Sequence, residues 1–181
     1  MSMTEVGTVY GESLYELAKD EGLGQQIGQQ LNVLKSSFCQ EPDFIRLLAS
    51  PSLPKAERCQ ILDNSFRGQV HPYLLNFMKI LTEKNYIRFF SDCCDAYALR
   101  YNQDNGILSV TAVTAVALTP AQTQSLTEKL SRITGKQIEL HNRIDASCLG
   151  GVRLDYDGQR LDDTISHRLD AIRDLLKTDV L

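Results

Sequence analysis

The sequence contains no long apolar run and no export signal. Its 181 residues include no stretch of about 18 consecutive apolar side chains, whereas a membrane-spanning helix needs about 20. The opening residues, MSMTEVGTVY, have neither a basic region nor an apolar core, so they do not resemble a signal peptide. We therefore expect a globular protein that works in the cytosol or on a surface that faces it.

The sequence also has no excess of basic residues. It carries 19 basic and 23 acidic side chains, which gives a formal net charge of −4. Binding to a phosphate backbone selects for clustered lysine and arginine, and neither half of the chain has such a surplus. We therefore do not expect nucleic acid as a partner.

Closely spaced ligands for a metal ion are missing as well. The chain has five cysteines but no C-x-x-C pair, and its three histidines lie far apart in the sequence. Structural zinc sites usually have paired ligands at short spacing. We predict no metal site and no cofactor, and we expect the cysteines to be reduced side chains that mostly fill the core.

Residues 1–105 are predicted to form an all-α bundle of six helices. Apolar residues recur at helical spacing in six segments. The linkers between these segments are short, which is typical of antiparallel neighbours in a bundle. In the first segment the predicted apolar face consists of Val6, Tyr10, Leu14 and Leu17.

Residues 106–181 are predicted to form a small α/β domain with a short sheet and two helices, so the fold class is α+β. ILSVTAVTAV predicts a strand, and TPAQ has the residues of a capped helix start. QIELHNRI and VRLDY alternate like half-buried strands, and Asp157-Gly158 indicates a hairpin turn. A last helix is expected after Asp163 or Thr164. Its inward side chains would be Ile165, Leu169, Ile172 and Leu176.

The stretch CLGGVRLDYDGQRLDD has four possible interpretations: a phosphate loop, an acid/base site, a metal site, or the scaffold of a small sheet. Its paired glycines lead into a strand and are not followed by lysine, unlike a phosphate loop. Asp155 and Asp157 share the face opposite Leu154, which we expect to be solvated, and an exposed carboxylate is a poor general acid at neutral pH. Asp162 and Asp163 are expected at a helix start, where negative charge is favourable. The scaffold reading is favoured, and an enzyme that uses Asp155 and Asp157 stays open as an alternative.

Two features of the helical part suggest a protein partner. The segment from Tyr73 to Leu81 is apolar over an arc of about 220°, wider than a surface helix needs. This helix is therefore either central in the bundle, or one of its apolar flanks is kept for a partner. In the first helix, Gly7, Gly11 and Ala18 form a shallow strip. Another helix can approach such a strip closely, either from the same bundle or from another chain.

Four segments resemble the delta subunit of F-type ATP synthases, called the oligomycin-sensitivity conferring protein in mitochondria. They are VYGESLYELA, LLASPSLPKAERCQIL, LSVTAVTAVALTPAQTQSLTEKLSRITGKQIEL and IDASCLGGVRLDYDGQRLDDTISHRLDAIRDLL. The resemblance covers nearly the whole chain in order. This sequence departs from the family at Gly11, where alanine is frequent, and at Asp163-Thr164.

The resemblance implies a non-catalytic stator connector that couples proton-driven rotation to ATP synthesis. Residues 1–105 would bind the amino-terminal segments of the alpha subunits in the catalytic head, and residues 106–181 would bind the end of the b-subunit stalk. The chain would lie on the cytoplasmic face of a bacterial plasma membrane, which it would contact only through the complex. The candidate contact residues are Tyr10, Gly11, Leu14, Leu75 and Met78 in the first domain and Ile172, Leu175 and Leu176 in the second. An adaptor of an unrelated assembly is the alternative.

Overall fold

The structure, a computed structural model, describes residues 5–148, 150–156 and 159–162. The chain forms two compact units that divide between Tyr101 and Asn102. The first unit is helical, and the second contains a small sheet. This arrangement confirms the predicted α+β class, with a helical part followed by a small α/β part.

Six α-helices form the first unit. They are α1 (Glu5–Asp20), α2 (Gly24–Gln40), α3 (Pro42–Leu48), α4 (Lys55–Phe66), α5 (Pro72–Glu83) and α6 (Phe90–Asp104). A 3₁₀ turn, Ile87–Phe89, joins α5 to α6. The helices share one apolar core, to which α2 contributes Ile27, Leu31, Leu34 and Phe38. These four residues follow the helical period, so they lie on one face of the helix.

The wide apolar arc of α5 is explained by a central position in this core. Leu74, Met78 and Leu81 have no exposed surface, and Leu75 and Phe77 are also buried. The sequence left open whether one flank of this helix is kept for a partner. The structure favours a central position for α5, because neighbouring elements of the same chain cover most of the arc.

A buried arginine links three elements of the helical unit. Arg58 of α4 is 3% exposed. Its Nη1 donates hydrogen bonds to the carbonyl oxygen of Leu48 at 2.9 Å and to Oδ1 of Asn85 at 3.0 Å. Leu48 ends α3, and Asn85 follows α5 with a φ of 60°. The arginine therefore fixes the turn after α5 against α3 and α4.

The second unit is a four-stranded sheet with one described α-helix. Its elements are β1 (Ile107–Thr114), α7 (Pro120–Thr134), β2 (Gln137–Ile144), β3 (Val152–Tyr156) and β4 (Gln159–Asp162), with a 3₁₀ turn at Ala146–Cys148. The strand order is β2-β1-β3-β4. β1 and β2 are parallel and are connected through α7, whereas β1–β3 and β3–β4 are antiparallel.

The core of the second unit is small. Its buried members are Leu108, Val110, Ala112, Ile138 and Leu154. α7 packs on them through partly buried residues, among them Leu126 and Leu130, and has no buried residue of its own. Its ends are well defined, because Thr119 and Gln122 form a capping box and Gly135 closes the helix with a φ of 66°. The predicted capping residues are therefore confirmed.

The end of the sheet differs in one respect from the sequence prediction. The predicted hairpin is present, since Tyr156 pairs with Gln159 across β3 and β4. Asp162, however, is the last residue of β4 and not a helix start, because it pairs with Arg153 in the sheet. Asp157, Gly158 and the helix predicted after Asp163 or Thr164 lie outside the described residues.

Candidate partner-binding surface

α1 faces the core with a different side from the one predicted. Its buried residues are Gly7, Gly11, Leu14, Tyr15 and Ala18. The predicted stripe of Val6, Tyr10, Leu14 and Leu17 is therefore only partly inside, and Leu17 is 43% exposed. The small residues Gly7, Gly11 and Ala18 let another helix approach closely, so their side of α1 faces the core.

Gly11 shows how close this approach is. A Cβ atom placed at Gly11 would lie 2.7 Å from Cβ of Ala96 and would also collide with the carbonyl oxygen of Cys93. Both neighbours belong to α6 of the same chain. The shallow strip could accept a helix of the same bundle or of another chain. At Gly11 it accepts α6 of the same bundle.

The rotation of α1 leaves an apolar strip at the surface. Val6, Tyr10 and Leu17 share one face at helical spacing, and Val9 is exposed beside them. Val6 and Tyr10 are half-buried. Exposed aliphatic side chains are ordinary when they are scattered, but a contiguous row indicates an interaction site.

The turn after α5 contributes aromatic residues next to Tyr10. The ring centroids of Tyr10 and Tyr86 are 5.8 Å apart, and those of Tyr86 and Phe89 are 6.4 Å apart. All three rings are half-buried. The guanidinium of Arg88 lies 5.8 Å from the centroid of the Phe89 ring. Tyrosine and arginine are enriched among the residues that dominate binding energy at protein interfaces.

We call the set Val6, Val9, Tyr10, Leu17, Tyr86 and Phe89 the apolar strip. A row of acidic residues runs along the Val9 side of α1. It consists of Glu5, Glu12, Glu16 and Asp20, all of them exposed. Because these residues follow the helical period, they lie on one line beside the strip. The surface therefore combines an apolar centre with a negative rim.

The five residues predicted for the first contact lie in different environments. Tyr10 is half-buried in the apolar strip. Gly11, Leu14, Leu75 and Met78 are buried by the bundle itself, so the structure gives each of them a role in internal packing. A direct contact between these four residues and a partner stays a prediction.

Sequence reasoning did not identify Val9, Tyr86 and Phe89 as surface candidates. Val9 lies outside the predicted stripe of α1, and the other two belong to or precede a 3₁₀ turn with no helical repeat. The aromatic character of NYIRFF was the available signal. Its proximity to Tyr10 depends on tertiary packing.

In the second unit Asp155 is paired with two arginines. Oδ1 of Asp155 lies 3.1 Å from Nε of Arg160 and 3.5 Å from Nε of Arg153. Asp155 is half-buried between these two cations, and Asp157 lies outside the described residues. This environment is that of a partly buried ion-pair network. The predicted contact residues Ile172, Leu175 and Leu176 also lie outside the described residues.

The five cysteines are free thiols. Cys93, Cys94 and Cys148 are buried, Cys59 is half-buried and Cys39 is exposed. Burial raises the pKa of the Cys93 thiol to about 12 and also raises the pKa of Cys94. In residues 5–148, 150–156 and 159–162 no group of three metal-binding side chains could hold an ion. Most of these thiols therefore act as apolar filler.

The match to a known family covers the chain nearly from end to end. The family model for the ATP synthase delta (OSCP) subunit matches residues 6–176. The chain belongs to the ATP synthase delta (OSCP) subunit family. The ATP synthase subunit delta of Synechococcus elongatus is 30% identical over 172 residues, which are 94% of this chain and 96% of that protein. That of Gloeobacter violaceus is 31% identical over 169 residues, 91% of this chain and 90% of that protein.

A solved structure shows the same fold as this delta-family chain. A chain in the cryo-EM structure of the Toxoplasma gondii mitochondrial ATP synthase hexamer superposes with a TM-score of 0.78 and 18% identity, over 96% of this chain and 98% of that chain. As a delta-type subunit, the chain is a non-catalytic component of ATP synthase. None of its described helices combines the length and apolarity that a membrane span requires.

Proposed function

We propose that this delta-family subunit is a stator connector. Its helical unit binds the amino-terminal segments of the alpha subunits, and its second unit binds the end of the b subunit. The connector holds the catalytic head against the torque of the rotor, so that proton-driven rotation is coupled to ATP synthesis. It acts at the cytoplasmic face of a bacterial plasma membrane, on which the complex holds it.

The apolar strip is the observation that carries this proposal. A connector under torque must dissociate slowly, and a few buried apolar and aromatic anchors can supply nanomolar affinity, about 12 kcal/mol. Tyr10, Tyr86 and Phe89 are rigid anchors that are already held against one another by ring contacts. An anchor that is already ordered loses little entropy when a partner binds.

The shape and charge of the strip define the partner. A row of apolar side chains along a helix suits an amphipathic helix that lies lengthwise with apolar residues at i, i+3 and i+7. The acidic row on α1 favours basic residues along one edge of that helix. We therefore infer that the bound alpha segments are amphipathic helices with lysine or arginine beside the apolar face.

The second unit is proposed to bind the b subunit. Its described sheet carries charged residues on one face and a small core on the other. The contact residues Ile172, Leu175 and Leu176 stay a prediction for this interface. Substituting each by aspartate in the full chain and measuring binding to the b subunit tests them separately from the helical unit.

A matched pair of exposed leucines tests the proposal. Leu17 on α1 is 43% exposed and lies in the strip, whereas Leu47 on α3 is 42% exposed and lies outside it. The full chain is titrated calorimetrically with a peptide from the amino terminus of the alpha subunit. We expect Leu17→Glu to weaken binding by about tenfold or more and Leu47→Glu to leave it unchanged.

Two outcomes would contradict the proposal. The first is the absence of peptide binding by the unaltered chain at micromolar concentration. The second is equal weakening by both glutamate variants, with thermal unfolding unchanged in both. A pull-down with the full chain that recovers no ATP synthase subunit would favour the adaptor of an unrelated assembly.

A further inference from the structure

The turn that carries the aromatic part of the apolar strip ends α5 in a defined way. The amide of Tyr86 donates to the carbonyl of Leu81 at 2.7 Å, and the amide of Asn85 donates to the carbonyl of Thr82 at 3.1 Å. Asn85 has a φ of 60°. These are the features of a Schellman motif, in which the left-handed residue is usually glycine and sometimes asparagine. Asn85 therefore occupies a position that glycine would fill with less backbone strain.

The end of α1 has the same hydrogen bonds, but with glycine in that position. The amide of Leu23 donates to the carbonyl of Ala18 at 2.7 Å, and the amide of Gly22 donates to the carbonyl of Lys19 at 3.0 Å. A Cβ atom placed at Gly22, whose φ is 69°, would meet no atom of the described residues within 4 Å. At the end of α1 the turn alone is therefore sufficient. At the end of α5 the corresponding residue has a side chain, and that side chain makes a contact.

The contact links the turn to a buried arginine. Oδ1 of Asn85 accepts a hydrogen bond of 3.0 Å from Nη1 of Arg58, and the same nitrogen donates to the carbonyl of Leu48 at 2.9 Å. Arg58 is 3% exposed, and Leu48 has no exposed surface. Leu48 ends α3, which lies next to the 3₁₀ turn Ile87–Phe89. The arginine is therefore held by α3 on one side and holds the start of the turn on the other.

We propose that Arg58 is a positioning residue for partner binding, a role that rests on the stator function proposed above. It is buried and does not touch the partner. Through Asn85 it keeps the turn in the conformation in which Tyr86 meets Tyr10 and Phe89 meets Tyr86, at ring-centroid distances of 5.8 and 6.4 Å. The aromatic anchors are thereby ordered before the alpha segment binds.

Order in the free chain acts on association more than on dissociation. When a binding conformation is populated only part of the time, the apparent affinity falls by that fraction. The complex itself changes little, because the bound helix selects the ordered turn. A residue that touches the partner has the opposite signature, since most interface substitutions act on the dissociation rate. Kinetics therefore distinguish a positioning residue from a contact residue.

Asn85→Gly is the most specific variant. Glycine adopts the left-handed conformation without strain, but it removes the acceptor for Arg58. The full chain is mixed in a stopped-flow instrument with a dye-labelled peptide from the amino terminus of the alpha subunit. We expect the association rate constant to fall about tenfold and the dissociation rate constant to stay the same. Asn85→Asp keeps an oxygen acceptor and tolerates the same φ, so it should retain the original rate.

Two further variants test whether Arg58 acts through Asn85. Arg58→Met keeps an apolar stem in the buried site and removes both hydrogen bonds, so it should slow association at least as much as Asn85→Gly. The double variant should be no slower than Arg58→Met alone, because residues that act through one contact are not additive.

Leu62→Ala is the control for a general loss of stability. Leu62 lies one turn after Arg58 on α4 and has no exposed surface. Its truncation destabilises the helical unit but leaves the hydrogen bonds of Arg58 in place. We expect both rate constants of the folded variant to equal those of the unaltered chain.

Hydrogen exchange reports the order of the turn without any peptide. The amides of Tyr86 and Phe89 donate to the carbonyls of Leu81 and Tyr86 at 2.7 and 2.8 Å. In the free chain we expect both amides to exchange faster in Asn85→Gly than in Asn85→Asp, because only the aspartate retains the link to Arg58.

Three results would overturn the positioning role and leave the stator function in place. One is an unchanged association rate in Asn85→Gly. Another is equal slowing by Leu62→Ala. The third is a double variant in which the two losses simply add. If the unaltered chain does not bind the peptide at micromolar concentration, the stator function fails, and the positioning role fails with it.

Discussion

α2 in the helical unit begins without a side-chain cap, whereas α7 in the second unit begins with a complete capping box at Thr119. The number of buried side chains shows the reverse difference between the two helices. α2 buries four large apolar residues, and α7 buries none. The same contrast holds for the cores, since that of the helical unit is far larger than that of the second unit.

The contrast indicates two ways to hold a helix in place. Most helix stability in proteins comes from packing of an apolar face, so the α2 start tolerates Leu23 at its cap position. α7 has little packing and depends more on its caps, each of which stabilises a helix by about 1 kcal/mol. Local sequence signals should therefore matter more in the second unit than in the first.

The largest expected effect comes from truncating a central core residue. Met78 has no exposed surface, whereas Leu130 on α7 is half-buried. We expect Met78→Ala to lower the free energy of unfolding of the helical unit by about 2–5 kcal/mol. Leu130→Ala should cost the second unit about 1 kcal/mol, because less apolar area is lost. Hydrogen exchange measures the free energy of unfolding of each unit separately. Equal losses in the two variants would contradict the difference in packing between the two units.

A smaller effect is expected from crowding the contact between α1 and α6. Gly11→Val places a side chain against Ala96 and the Cys93 carbonyl, and overpacking of this kind costs about 1–3 kcal/mol. The control is Gly28→Ala, whose added Cβ would meet only a ring atom of Tyr97, at 3.4 Å. Urea unfolding followed by tyrosine fluorescence measures the helical unit. A larger loss for the control would contradict the close approach.

Removal of the cap tests the other side of the comparison. Thr119→Ala removes the side-chain acceptor for the Gln122 amide, and we expect a loss of about 1 kcal/mol. Thr123→Ala, in the same turn, removes only a bond to the Thr119 carbonyl and should be nearly neutral. The exchange rates of the α7 amides measure this loss. If neither substitution changes these rates, packing and not the cap stabilises α7.

The last expected effect is a pH dependence of the helical unit, which is absent at neutral pH and appears only in alkaline solution. Burial raises the pKa of Cys93 to about 12, and it also raises the pKa values of Cys94 and Tyr97. The unfolded thiols lose protons near pH 9, while the folded state retains them. The free energy of unfolding should therefore fall as pH rises above about 9. Thermal unfolding at increasing alkaline pH tests this, and Cys94→Ala should give a shallower slope.

The sequence was sufficient where structure depends on local patterns. The α7 cap, the turn at Gly135 and the alternation of Val152, Leu154 and Tyr156 were all readable, because each depends on neighbours along the chain. The side of α1 that faces the core was not readable. An apolar stripe is normally inward, but the small residues at Gly7 and Gly11 admit a close neighbour and turn the stripe toward the surface.

Tertiary context also decided the other errors and omissions. Asp162 and Asp163 look like a helix start, yet Asp162 extends β4 because Arg153 lies opposite it. The apolar arc of α5 gave two equal readings, since periodicity cannot count the neighbours that cover a helix. Tyr86 and Phe89 join Tyr10 only after α1 and the turn after α5 are packed.

Arg58 makes the shape of the candidate surface insensitive to the salt concentration. Its hydrogen bond to the Leu48 carbonyl is buried and its hydrogen bond to Asn85 is partly buried, so dissolved ions screen these contacts much less than they screen an exposed pair. The turn that carries Tyr86 and Phe89 is therefore anchored by contacts that ions in the medium weaken little. The acidic row on α1 is exposed to those ions, so the salt concentration changes how strongly a basic helix is attracted. The shape of the apolar strip to which that helix binds stays the same.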